Sequence, residues 1–284
     1  MKKSLSILSI ASALLAIISS CIGVFYSFGG EQRIVENIYG QEITLFGDGV
    51  YANDSIMKVG ATKGTDVVTI IIGVLLVLTV LVWKKKKYAP FIQAGLLSLI
   101  LYSSTCLILG VTFNRLFLVY LFQFGCTFFA FILAMNDLLR KKSFEDCIYN
   151  KRLTGTAIFI IIGGCSVLQW MAFILPTVIS GSPMEIVDIY TTEPTFVIDL
   201  AIIFPLALFC GISLLAKKTI AYQLVPVLLM ALTGVGICVI FQTIVQSSLG
   251  IVLNPWELFG LVIFFVIIGI IAMILNVRLL RKAK

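Results

Sequence analysis

Eight long apolar runs dominate this chain, at residues 4–28, 65–83, 89–112, 116–138, 153–179, 195–216, 221–246 and 256–277. Each is close to the ~20 helical residues that cross the ~30 Å hydrocarbon core of a bilayer. In lipid no water satisfies backbone polar groups, so a spanning segment is either a helix or a strand of a closed barrel. These runs are continuous rather than alternating, which excludes the barrel. The expected fold is all-α: a polytopic integral membrane helical bundle with eight transmembrane helices. Apolar residues make up 60% of the 284 and charged residues 12%, against about 45–50% and about 25% in soluble domains. A cytosolic enzyme and a nucleic-acid reader are both excluded by this balance. The partner read from it is the lipid bilayer, with no nucleic acid.

Lysine and arginine set the expected orientation. With Lys2 and Lys3 inside, one face collects seventeen basic residues, including Lys84–Lys87, Lys217 and Lys218, and the other face holds Arg33, Lys58, Lys63 and Arg115. The expectation is a multi-pass protein of the cell membrane with both termini cytoplasmic. Residues 1–20 also resemble a secretory signal, and Ile18-Ser19-Ser20-Cys21 a lipoprotein cleavage box. The chain stays apolar through Ile22–Tyr26, where such a protein turns polar, so a retained first span is expected. Abundant lysine and isoleucine suggest a bacterial source.

An internal repeat is suggested by spacing. Asp66 lies 18 residues before Lys84, and Asp199 lies 18 before Lys217, each pair enclosing an apolar run. The expected organisation is a first four-helix half at 1–139, a cytoplasmic connector at 140–152 and a second four-helix half at 153–284. The two halves would form parallel repeats. The segment 29–64 is extracytoplasmic in this scheme. It is expected to form a hairpin, Ile34–Tyr39 with Gln41–Phe46, lying on the outer helix ends.

Ionisable groups at membrane depth are the default functional candidates. Asp199 is the sixth residue of a helix opened by Glu193 and Pro194, too deep for capping. It is expected to face the bundle interior, a water-filled cavity or a cation, or to pair with Arg115 or a tyrosine hydroxyl. Asp66 is expected to cap the second helix, which starts at residue 65, and Glu257 to complete a capping box with Asn254. Asp199, Asp66, Glu257 and Arg115 are the candidate ion- or substrate-binding set. Pro205 and Pro226 are the candidate gating breaks. Gln123, Gln169, Gln242 and Gln246 are expected to hydrogen-bond between helices.

Histidine is absent, and with it the commonest metal ligand and general base. No catalytic, metal or cofactor site is expected. Six of the seven cysteines sit inside apolar runs and none forms a CxxC, so they read as packing residues. An enzyme would have to use a carboxylate pair, Asp66 with Asp199. The functional expectation is a transporter or permease component for a small solute or ion with an outer acidic vestibule. The alternative is a non-transporting sensor, assembly or regulatory subunit that binds a partner through segment 29–64. The chain is short for a stand-alone transporter, so a homodimer or a second membrane subunit is expected.

Overall fold

The computed structural model describes residues 2–140, 153–255 and 258–281. Eight helices among them are long and apolar enough to cross a membrane. They are α1 (Lys2–Phe25), α2 (Ile56–Leu81), α3 (Ala89–Gly110), α4 (Phe117–Arg140), α5 (Thr154–Ser180), α6 (Pro194–Leu215), α7 (Thr219–Ser248) and α8 (Leu258–Arg281). Two short strands, β1 (Arg33–Glu36) and β2 (Glu42–Leu45), pair antiparallel between α1 and α2. The connector from 141 to 152 and the pair Trp256–Glu257 lie outside the described residues, as therefore does the capping box expected at Glu257.

The hairpin forms in the expected segment, with strands shorter than the expected Ile34–Tyr39 and Gln41–Phe46. Asn37 Oδ1 accepts from the amides of Tyr39 and Gln41 at 2.9 and 3.0 Å, an Asx turn, and Gly40 supplies the left-handed backbone (φ 78°). Two strands alone are marginal in water, and this pair is fastened at both ends. Asp48 accepts from Ser27 Oγ (2.6 Å) and from the amides of Phe28 and Gly29, tying the hairpin to the end of α1. The Ser27 hydroxyl and the Phe28 amide hold the Asp48 carboxyl well below the usual carboxylate range. Asn37 Nδ2 donates to the Asp188 carbonyl (2.9 Å), joining the hairpin to the segment between α5 and α6.

Helix α2 starts at Ile56, capped by Ser55 Oγ, and not at residue 65. Lys58 and Lys63 make its first turns read as loop. Both are helical, and each ammonium finds a partner beyond the helix: Lys58 bonds Glu193 (2.7 Å) and Lys63 meets the face of Phe46, 4.7 Å from its centroid. The expected capping role of Asp66 is thereby corrected. It is the eleventh residue of α2, about 15 Å from the helix start at 1.5 Å per residue.

Helices α5 and α6 carry breaks that position side chains, and α8 opens on a π turn at Leu258–Ile263. In α5 a 3-10 turn at Ser166–Trp170 separates two α-helical parts. In α6 the backbone widens to a π turn at Asp199–Ile203. Pro205 has no N–H to offer the carbonyl four residues back, and the Phe204 amide reaches the Asp199 carbonyl instead. Pro226 lies buried inside α7, where its carbonyl accepts from Asn276 Nδ2 of α8 at 3.1 Å.

Helices α1, α2, α3 and α4 pack on one another, α5 packs on α6, and α7 packs on α8. Helix α7 joins these groups, lying against α2, α3 and α6, and the start of α6 also touches α3. Hydroxyls of α1 bond to its neighbours: Ser12 with Thr127 (2.6 Å), Ser19 to Gln123 Oε1 (2.7 Å) and Gln93 to Ser9 (2.9 Å). At the α2–α7 crossing, Gly60 and Gly64 let the backbones approach, as small residues four apart do between membrane helices. A Cβ on Gly64 would lie 2.4 Å from the Gln242 Cα. We expect Gly64→Val to lower stability by about 1–3 kcal/mol through overpacking. Gly125→Ala meets nothing within 4 Å and should leave the melting temperature in detergent unchanged.

Candidate functional site

Helices α2, α3, α6, α7 and α8 surround a cavity of about 310 Å³, within the ~300–1,000 Å³ usual for small-molecule sites. Its lining follows α2 from Met57 to Ile72, about 22 Å of helix. Below it Leu76, Leu97 and Leu229 are fully buried and close the bundle toward the lysine-rich end.

Asp66 and Asp199 both line this one cavity. Counted back from the last residues of their helices, Leu81 and Leu215, they sit at nearly the same depth. Asp66 is 1% exposed and Asp199 8%. Ser20 Oγ donates to Asp66 Oδ1 (2.9 Å) and Tyr51 Oη to Oδ2 (2.8 Å). Neither donor lines the cavity, so Asp66 is held from the α1 side. Gly23 makes room there, since a Cβ on it would fall 2.3 Å from Asp66 Oδ2. Asp199 is held by neutral groups that do line the cavity. Tyr102 Oη donates to Oδ1 (3.2 Å) and the Trp170 indole to Oδ2 (2.9 Å). The 3-10 turn in α5 presents Trp170, and the π turn in α6 begins at Asp199 itself.

Neither carboxylate has a cation within ion-pair distance among the described residues. Arg115, expected as their counter-ion, is exposed in the α3–α4 turn, and neither acid is hydrogen-bonded to it. That turn faces out because Asn114 Oδ1 caps the next helix through the Leu116 amide (2.9 Å). The tyrosine partner expected for Asp199 is present as Tyr102. Of the glutamines, Gln242 donates to Thr65 Oγ1 (2.8 Å) across the α2–α7 crossing and lines the cavity. Gln123 joins α4 to α1. Pro205 shapes the backbone behind Asp199, whereas Pro226 lies on the α8 side of α7 and does not line the cavity.

The rim at the hairpin end is polar. Lys58 bonds Glu193 (2.7 Å), and its ammonium sits 5.4 Å from the Tyr190 ring centroid. Tyr190 Oη donates to Asp54 Oδ1 (2.9 Å), which also accepts from the Thr112 amide (2.7 Å). Burial raises the Asp54 carboxyl to about 6, the hydrogen bonds from Thr112 and Tyr190 partly opposing it. These contacts tie the α1–α2 and α5–α6 segments together over the cavity. Tyr51, Tyr102, Trp170 and Asp54 carry no spacing signal in the sequence. They are found only when one asks which polar tips reach the two buried acids and the rim.

No known protein family, curated protein or solved structure matches the chain.

Proposed function

We propose that the chain is a transporter or permease component of the cell membrane that takes a small solute into the central cavity from the hairpin side. The reading is carried by one observation: two buried carboxylates, without a cation in ion-pair distance among the described residues, open on the same cavity. A charge in such surroundings costs several kcal/mol unless it is compensated, and a bound solute or a proton is the compensation available. In this reading the eight helices span the bilayer, the lysine-rich end is cytoplasmic with both termini, and the hairpin end is outside. The equal depth of Asp66 and Asp199 and the corresponding pairs α1–α2 with α5–α6, and α3–α4 with α7–α8, support parallel halves about an axis along the membrane normal. The π turn at Asp199 is the hinge at which α6 gates, as such bulges often mark functional points in helices.

Native thiols test this. Cys106 and Cys238 line the cavity. With the other cysteines, Cys106 included, replaced by serine, Cys238 should be modified by a small impermeant methanethiosulfonate added to either side of reconstituted vesicles. Alternating access requires both. Modification from the hairpin side alone would overturn transport. It would favour a receptor or regulatory subunit, a reading suggested by the exposed Ile34 (67%) and Ile38 (90%) on the hairpin. A homodimer or second membrane subunit fits either reading.

A further inference from the structure

We infer that the cavity selects an organic ammonium ion, its charged head beside Asp199 and its apolar body along the α3–α7 wall; this rests on reading the cavity as a solute site. Among the described residues four carboxylates, Asp66, Asp188, Glu193 and Asp199, face it against one ammonium, Lys58. That ammonium is already bonded to Glu193, so the interior is left negative. Each Asp199 oxygen accepts one hydrogen bond from a neutral donor, while an ionised carboxyl has about four acceptor positions. The acid is oriented with capacity to spare.

Aromatic rings surround that acid. Trp170 and Phe196 lie 5.1 Å apart between centroids at an interplanar angle of 42°. Tyr102 and Phe265 line the same space. A carboxylate among ring faces is the chemistry that recognises alkylated ammonium ions, since ring quadrupoles attract a weakly hydrated cation. Along α3 and α7 the lining adds Leu99, Leu107, Val235 and Val239, with Ser103, Gln242 and Thr243 interspersed. The aliphatic side chains suit the hydrocarbon part of a solute, and the few hydroxyls and amides between them are too sparse to replace the shell of a small hydrated ion. Among the described residues no group of three or more acidic or cysteine side chains converges as a metal ion needs. An anion is opposed by the excess of carboxylates.

Matched probes decide the matter. The protein in lipid nanodiscs is titrated calorimetrically with choline, with neohexyl alcohol (its neutral carbon isostere) and with pivalate. Choline should bind at least ~10-fold more tightly than the alcohol, within what cation–π and charge contacts supply, and pivalate should not bind. Asp199→Asn should bring choline to the level of the alcohol. Trp170→Leu should weaken choline by roughly 10-fold while the alcohol changes less. Retention on gel filtration shows that each variant is folded. Equal affinity for choline and alcohol, tighter binding of pivalate, competition by sodium chloride at matched ionic strength, or no binding of any probe would each overturn the ammonium assignment. Cys238 modification from both sides alongside such a result leaves the transport reading standing. Its failure, with the alcohol and choline still discriminated, removes transport and keeps the binding site.

Discussion

Asp199→Asn is expected to reduce choline uptake into proteoliposomes by roughly 100-fold or more, while insertion and yield stay at the wild-type level. Removing one partner of a buried charge pair costs about 3–5 kcal/mol, and each 1.4 kcal/mol is about tenfold. Asparagine keeps an oxygen that can accept from Tyr102 or Trp170, whose hydrogen bonds to the acid are 3.2 and 2.9 Å. The loss is therefore confined to charge and to one hydrogen bond. Folding has little reason to suffer, because the native carboxylate has no cation beside it among the described residues. An unpartnered buried acid costs stability, and neutralising it relieves that cost. Radiolabelled choline suits the measurement because its permanent charge keeps it from crossing lipid unaided. Uptake by the variant equal to that of wild type and above empty vesicles would remove Asp199 from the pathway.

The depth at which each acid sits explains what could be read from sequence. Asp199 was legible because Glu193 and Pro194 mark the start of its helix, and the structure keeps that start, with Glu193 Oε1 accepting from the Thr195 amide (3.3 Å). The depth of Asp66 is hidden because hydropathy takes Lys58 and Lys63 for loop. Snorkelling lysines conceal the first turns of a helix from any composition window, and Ser55 caps α2 well before the apolar run begins. The eight long helices follow from a bulk property, the length and continuity of apolar runs, and were legible for that reason. Arg115 failed as a counter-ion for a different reason. Charge complementarity says which groups would attract, but the turn that carries Arg115 is set by the local cap at Asn114. The aromatic surroundings of Asp199 come from α3, α5 and α6 at once, a convergence that no single-segment pattern encodes.

The cap over the cavity should tighten as pH falls, and Asp54 is the reason. Its carboxyl is 1% exposed, with Oδ1 accepting from Thr112 and Tyr190 and Oδ2 without a partner among the described residues. Burial lifts it from its ordinary 3.8 to about 6, despite the attraction of Lys58. The folded protein therefore holds a proton that the unfolded chain releases between these values. The stabilisation is complete below about 3.8 and is lost as pH rises through about 6. At 1.36 kcal/mol per pK unit the full swing is at most about 3 kcal/mol. Protonation also gives Oδ2 a hydrogen, while Oδ1 keeps both incoming bonds, so the junction between the α1–α2 and α5–α6 segments survives it. Asp54→Asn carries the same two acceptances with no charge to titrate. Thermal melts of the two proteins should diverge by up to about 3 kcal/mol between about pH 4 and about pH 7.5, the variant gaining on wild type as pH rises. Corrected for the intrinsic pH dependence of exchange, protection of the Thr112 amide, which donates to Asp54, should rise in wild type as pH falls and stay level in the variant. Parallel curves for the two proteins, or a wild-type protein that loosens at Thr112 as acid is added, would show that Asp54 does not govern the cap.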